Sequence, residues 1–363
     1  MHFMSQVPPY IAALRSYIPG KPIAELQRET GAARIIKLAS NENPLGPSPK
    51  VKEAIGNALD DIHRYPDGGF ALTRALAARY RVTPDNIVLG AGSDSLMLAL
   101  VRAFVTEGGE VVASAGSFAQ YYLMPQSRGA IVKTAPLKEY RYDLAAIAAL
   151  VTPKTQMIFL ANPNNPTGTM FTKAEWEAFY RQIPAETLIV LDEAYFEFVE
   201  TNPDWPDSQK YRYDNVVTLR TFSKTYGLAG LRLGYGIGQT DPIREMKKVK
   251  LPFEPNVLAL VAGEAALGDR EFVDRYRSLV EEGRAVFYER LARMGVRYVP
   301  SAANFVMAVF PDQTTAETIH KGLLARGVIV RSLHAFGLPE AIRITIGLPE
   351  ENVQCMDAIA ALV

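Results

Sequence analysis

From about residue 35 to residue 238 the chain repeats one pattern, a short apolar run followed by a longer stretch with apolar residues at helical spacing. The runs fall at 86–89, 111–113, 131–134, 157–160, 188–191, 216–219 and 234–237. Because they are apolar throughout rather than alternating, they predict strands covered on both faces, with the intervening stretches as crossover helices. That is an α/β fold built on a parallel or mostly parallel sheet. Ligands of such sheets gather beyond the carboxyl ends of the strands, and several of these runs stop there at polar or glycine-rich turns. After Pro252 the pattern changes. A long helical stretch at 256–294 leads into runs at 296–299, 304–310, 328–331 and 342–346 with a helix at 314–326, which predicts a smaller α+β unit. A chain of 363 residues is long enough for one large domain and one smaller one, with a cleft between them.

Composition excludes several classes of function. Basic and acidic side chains balance at 39 each, so no polyanionic partner such as nucleic acid is indicated. Hydrophobic residues at 48% and charged residues at 21% describe an ordinary globular chain. A single cysteine, Cys355, rules out an internal disulfide and any cysteine-based metal cluster. The four histidines, His2, His63, His320 and His334, have no ligand spacing, so no metal site is expected. The amino terminus lacks a basic region followed by a long apolar stretch, and no run approaches the roughly 20 apolar residues that span a bilayer. A soluble, cytoplasmic protein with no membrane association is therefore expected.

The chemistry concentrates in three segments. The first, TLRTFSKTYGLAGLRLG at 218–234, runs from a β-branched strand into Ser223 and Lys224, with Arg232 eight residues beyond the lysine. A lysine amine condenses with an aldehyde to form a Schiff base, which is how pyridoxal 5'-phosphate is held and exchanged. Ser223 and Arg232 suit the phosphate arm of that cofactor, the arginine by its planar fork. The second segment, LIVLDEAY at 188–195, delivers Asp192 at the end of a buried-looking strand, where an acid is costly unless paired. A pyridine nitrogen is such a partner, and a carboxylate beside it keeps it protonated. Tyr195 stands three residues on, within reach of the ring's phenolic oxygen. The third, ANPNNPTG at 161–168, displays Asn165 on a proline-fixed turn, able to bond the same oxygen. Taken singly, Asp192 equally reads as a helix cap, NPTG as a turn, and Lys224 as a solvated charge. A fourth segment, LGAGSDSLMLALVRAF at 89–104, opens a helix on Gly92, Ser93 and Asp94, where free amides and the helix dipole favour a phosphate. By itself that glycine turn reads as a simple strand-to-helix connection.

Together SNENPLG, RYPDG, ANPNNPTG, LDEAY and TFSKTYGLAGLRLGY closely resemble the histidinol-phosphate aminotransferases of the fold type I superfamily, over nearly the whole chain. The resemblance implies a large pyridoxal-phosphate-binding domain at 37–255 with a mixed, mostly parallel seven-stranded sheet. It implies a small domain at 256–363 that includes the long connecting helix, and an arm at 1–36 packing with it. It also implies a homodimer with active sites near the subunit interface. It supports Lys224, Asp192, Asn165, Tyr195, Ser223 and Arg232 in the roles above. It assigns Tyr65 to the cofactor phosphate of the partner subunit, and Tyr17, Asn43, Arg331 and Arg343 to the substrate. Phe118 falls where many relatives carry a tyrosine stacked on the cofactor ring, and stacking survives that exchange. His334 and Phe336 lie in a substrate-facing loop. The implied reaction is transamination between histidinol phosphate and 2-oxoglutarate, with glutamate as the product of the acceptor. An aromatic amino acid aminotransferase and a phospho-amino-acid decarboxylase are the alternatives. A non-enzymatic cofactor-binding module is disfavoured by the complete lysine, aspartate and arginine set.

Overall fold

The computed structural model describes residues 6–14, 20–31, 34–211 and 213–363. Tyr17 lies outside them. All seven apolar runs become strands of one sheet: β1 Ile87–Gly90, β2 Glu110–Ser114, β3 Ile131–Ala135, β4 Thr155–Ala161, β5 Leu188–Asp192, β6 Val216–Thr221 and β7 Gly234–Ile237. Their order is β1-β7-β6-β5-β4-β2-β3. Strands β3, β2, β4, β5 and β6 pair in parallel, and β7 is antiparallel to both β1 and β6. The interior strands are buried residue by residue, as in β2, β5 and β6, because helices cover both faces. The fold is therefore the α/β fold of the expectation, with a mixed and mostly parallel seven-stranded sheet.

The carboxyl-terminal part forms a four-stranded sheet of β8 Arg297–Val299, β9 Phe305–Val309, β10 Arg331–Ser332 and β11 Ala341–Thr345, in the order β8-β9-β11-β10. Its core residues, Phe305, Ile342 and Ile344 among them, pack with Ile36 and Leu38 from the far end of the sequence. The segment Ile36–Lys37 pairs in parallel with Val328–Ile329, which ties the end of the amino-terminal arm to this sheet.

The expected single helix at 256–294 is two. Helix α1, Gly92–Phe104, follows β1. Later, α2, Val257–Leu267, and α3, Arg270–Arg293, are separated at Gly268 and Asp269. Asp269 is buried with non-helical dihedrals, and its carboxylate accepts a hydrogen bond from Lys50 Nζ at 3.1 Å. The break falls on a glycine that caps one helix and an aspartate at the cap position of the next. Leu260 and Ala262 of α2 pack in the cluster that holds Val51 and Leu72 of the large unit, whereas Val280 and Phe287 of α3 pack with the small sheet. Val273, in the first turns of α3, still packs with the cluster of the large unit, so α3 bridges the two units. No described helix is long and apolar enough to cross a membrane.

Candidate active site

A cavity of about 250 Å³ opens beyond the carboxyl ends of β4, β5 and β6, lined by the last residue of each: Ala161, Asp192 and Thr221. This is where a parallel sheet leaves room for a ligand. Lys224, three residues past the end of β6, enters it half-buried, its Nζ 3.5 Å from the Ser40 carbonyl oxygen and 5.9 Å from the centre of the Tyr195 ring. Burial pushes its ammonium pKa down to about 8, and the neighbouring Arg343 guanidinium pushes the same way. The result is an amine of which roughly a fifth is neutral, and so nucleophilic, near physiological pH, far more than for an ordinary lysine.

Asp192 is 6% exposed. Its Oδ2 accepts a hydrogen bond from the Tyr121 hydroxyl at 2.7 Å, and its Oδ1 one from the Ala194 amide at 3.1 Å. Both partners are neutral, and burial raises the carboxyl pKa to about 6 even though the tyrosine bond opposes that shift. A buried acid facing a cavity with only neutral partners fits a ligand that brings its own N–H cation, as a protonated pyridine ring does.

The other wall is an anion corner. Gly92 opens α1 with φ +81, a conformation that favours glycine, and a Cβ there would lie 2.6 Å from Arg232 Nη2. Gly234 is needed as much, since its Cβ would meet the Ser93 nitrogen at 2.6 Å. The two glycines let β7 and Arg232 come against the amino terminus of α1. Ser93 and Ser223 line the cavity here, with the Ser223 hydroxyl accepting from Thr221 at 3.0 Å. Arg232 is fixed by Ala229 O at 3.1 Å and by Asp94 Oδ2 at 3.2 Å. A carboxylate has nothing to donate to a phosphate, so Asp94 serves this corner by orienting Arg232. Phe118 lines the cavity and meets Tyr121 edge-on, with 5.7 Å between ring centres.

On the substrate side, Asn165 Oδ1 accepts a short hydrogen bond from Arg343 Nη1, which leaves the Asn165 amide hydrogens as the atoms it can present. Arg343 is 4% exposed and also donates to Ala39 O at 2.7 Å. Arg331 stands directly opposite Arg343 in the β10–β11 pairing, so the two guanidinium stems leave the same face of the sheet. His334 is exposed and Phe336 is buried, with the Arg331 guanidinium 5.7 Å from its ring centre.

Among the described residues expected at the site, Gly92, Arg331 and Arg343 do not line the cavity, and Tyr65 and Asn43 make their contacts elsewhere. Tyr65 is 78% exposed and stacks on Phe253 with ring centres 4.2 Å apart, on a different surface of the chain. Asn43 is buried, with its amide donating to Thr225 O at 2.8 Å and its oxygen accepting from the Leu45 amide at 2.9 Å. Both ends of that side chain brace the loop. Tyr17 lies outside the described residues.

Sequence reasoning missed two side chains. Asn41, in the left-handed region at φ 55, donates to the Tyr195 hydroxyl at 2.8 Å. Two asparagines in one SNEN motif carry no sign of which turns inward. Tyr121 is the other, and the sequence carries a signal for it: a buried acid implies a buried donor, and SFAQYYLMPQ at 117–126 offers two tyrosines.

The architecture and the site define the class of protein. The family described as aminotransferase class I and II matches residues 33–359, and the chain belongs to it. Within it, the chain is 46% identical over 363 residues to a histidinol-phosphate aminotransferase of Anaeromyxobacter sp. (strain Fw109-5), covering 99% of each chain. It is 45% identical to histidinol-phosphate aminotransferase 2 of Carboxydothermus hydrogenoformans, over 95% of this chain and 96% of that one. The crystal structure of histidinol-phosphate aminotransferase from Sinorhizobium meliloti in complex with pyridoxal-5'-phosphate superposes with a TM-score of 0.91 at 30% identity, covering 99% and 97% of the two chains.

Proposed function

We propose that this chain moves an amino group between histidinol phosphate and 2-oxoglutarate, using pyridoxal 5'-phosphate held on Lys224. When bound, the cofactor supplies an aldehyde that exchanges amines and a ring that accepts electrons from the substrate carbon. Lys224 Nζ would hold the cofactor covalently and, as a free amine, would take a proton from the substrate α-carbon and return it to the cofactor's carbonyl carbon, for which a pKa near 8 is suited. Asp192 holds the ring nitrogen protonated. Asn165 presents its amide and Tyr195 its hydroxyl to the phenolic oxygen, Phe118 covers one ring face, and Ser93, Ser223, Arg232 and the α1 amides hold the phosphate.

The observation that carries the substrate reading is the facing pair Arg331 and Arg343. Two like charges side by side repel, and a phosphate dianion offsets that repulsion better than a single carboxylate. Histidinol phosphate, phenylalanine, tyrosine and threonine phosphate are to be compared as amino donors for holoenzyme, with keto products and carbon dioxide both assayed. We expect histidinol phosphate to be preferred, and Arg331→Ala to lower its kcat/KM by about tenfold, more than for the aromatic amino acids. Equal losses would remove the phosphate argument. A wild type preferring phenylalanine outright would make this an aromatic aminotransferase, and carbon dioxide release a decarboxylase.

We further propose that a second copy of the chain covers the exposed, mutually stacked rings of Tyr65 and Phe253. Solvent-exposed aromatic pairs such as Tyr65–Phe253 mark such interfaces, and Tyr65 would then reach the neighbouring cofactor phosphate. Sedimentation should give a dimer that Phe253→Glu dissociates; a monomeric wild type would refute this.

A further inference from the structure

Asp192 is aimed by a side chain 71 residues away in sequence. Tyr121, 1% exposed, lies flat against Phe159 with ring centres 5.1 Å apart and planes 4° from parallel, and meets Phe118 edge-on. These contacts leave its ring no alternative position, so its hydroxyl is delivered to Asp192 Oδ2 by packing rather than by the hydrogen bond itself. The Ala194 amide takes the other oxygen at 3.1 Å. With one donor on each oxygen, the plane of the carboxylate is set before any ligand arrives.

Resting on the cofactor reading above, we infer that Tyr121 is the positioning residue that orients Asp192 toward the cofactor's ring nitrogen and favours its ionised form there. Through Phe118 it also ties that carboxylate to the ring-covering platform, so that one side chain registers two contacts made by the same ring. The groups facing Asp192 support the division of labour. Asp94 opposes its ionisation from α1, Lys224 favours it from beyond β6, and Tyr121 is the one that donates a hydrogen bond from a side chain. Burial and the adjacent carboxylate hold the Tyr121 phenol well above its ordinary pKa, which keeps it a donor throughout the working range.

The test uses two probes on apoprotein, pyridoxal 5'-phosphate and its 1-deaza analogue, in which the ring nitrogen is replaced by C–H. Dissociation constants for both are measured by equilibrium dialysis. Wild type should hold the natural cofactor more tightly than the analogue, and Asp192→Asn should abolish that preference. Tyr121→Phe keeps the ring packing and removes only the donor. A hydrogen bond to a charged group is worth enough that the preference should narrow by about tenfold, with analogue binding unchanged. If Tyr121→Phe weakens both probes equally, or leaves the preference intact, Tyr121 is a packing residue and the inference is wrong. If instead Asp192→Asn leaves the preference intact, the placement of Asp192 at the nitrogen fails first, and this inference goes with it. Should Tyr121→Phe not fold, Tyr121→His offers an N–H donor; retained preference would support the inference and lost preference would overturn it.

Discussion

Two carboxylates adjacent in the chain, Asp192 and Glu193, are both buried, at 6% and 1% exposure, and the protein treats them in opposite ways. Consecutive residues at a strand end leave opposite faces of the sheet. On one face, Asp192 meets a hydroxyl and an amide. On the other, Glu193 Oε2 accepts from Arg220 Nε at 2.9 Å and Nη2 at 2.7 Å. Arg220 is further held by Tyr80 Oη at 2.9 Å, by Asp207 at 3.2 Å, and by the Phe196 ring 3.8 Å from its guanidinium carbon. The same alternation runs along β6, where Arg220 joins the closed network and Thr221 lines the cavity. Glu193 thus has its counter-ion in the same chain, whereas Asp192 has neutral hydrogen-bond partners and faces the cavity.

Substituting each acid should break or sharpen the contrast. Glu193→Ala leaves a buried guanidinium with only Asp207 for an anion, and removing one member of a buried pair costs about 3 kcal/mol or more. We expect a large drop in apoprotein stability by urea denaturation. Asp192→Asn should act in the opposite direction. The folded-state pKa of Asp192 is raised to about 6 from an ordinary 3.8, chiefly by burial, so the fold binds this proton more tightly than the unfolded chain does. The associated stability is present in full below pH 4, is lost as pH rises through 6, and amounts to roughly 3 kcal/mol at most. Above pH 6 the amide that replaces the carboxylate carries no such penalty. The variant apoprotein should thus be more stable than wild type at pH 7.5 and lose its advantage towards pH 4. A variant less stable than wild type at pH 7.5 would show that Asp192 has an internal counter-ion after all.

The sheet was legible because its strands are covered on both faces, so that burial is written as uninterrupted apolar runs, and all seven runs became strands. Their order was not. That β7 lies antiparallel between β1 and β6 is a tertiary fact, which the glycines at 92 and 234 accommodate but do not announce. The break between α2 and α3 was legible but overlooked: Gly268 is the C-cap of one helix and Asp269 the N-cap of the next, a local pair of cap residues inside a helical pattern. Within the site, residues read from segments that end strands, Lys224, Asp192 and Asn165, arrive around one cavity because strand ends share an edge. Asn41 was not legible, because inward orientation in a loop depends on a backbone dihedral and on packing that no spacing records.

The smallest effect concerns the one cation on the functional face whose charge is itself adjustable. Arg343 adds a fixed positive charge near Lys224, and together with burial, the larger cause, it brings the ammonium pKa from 10.5 to about 8. The folded state therefore prefers the neutral amine, and the preference is fully expressed only above the ordinary lysine range. Its consequence is kinetic as well as thermodynamic, since the neutral amine is the form that attacks an aldehyde. The rate at which apoprotein captures pyridoxal 5'-phosphate, followed by absorbance at constant ionic strength, should rise with pH to a midpoint near 8. Because burial contributes more than Arg343 does, Arg343→Gln should move that midpoint upward by only part of the distance toward 10.5. A midpoint that does not move would mean that burial alone tunes Lys224. A full return to 10.5 would mean that the arginine alone does. In the intermediate case the functional lysine resembles Asp192, held away from its ordinary pKa first by the cavity wall and only then by its neighbours.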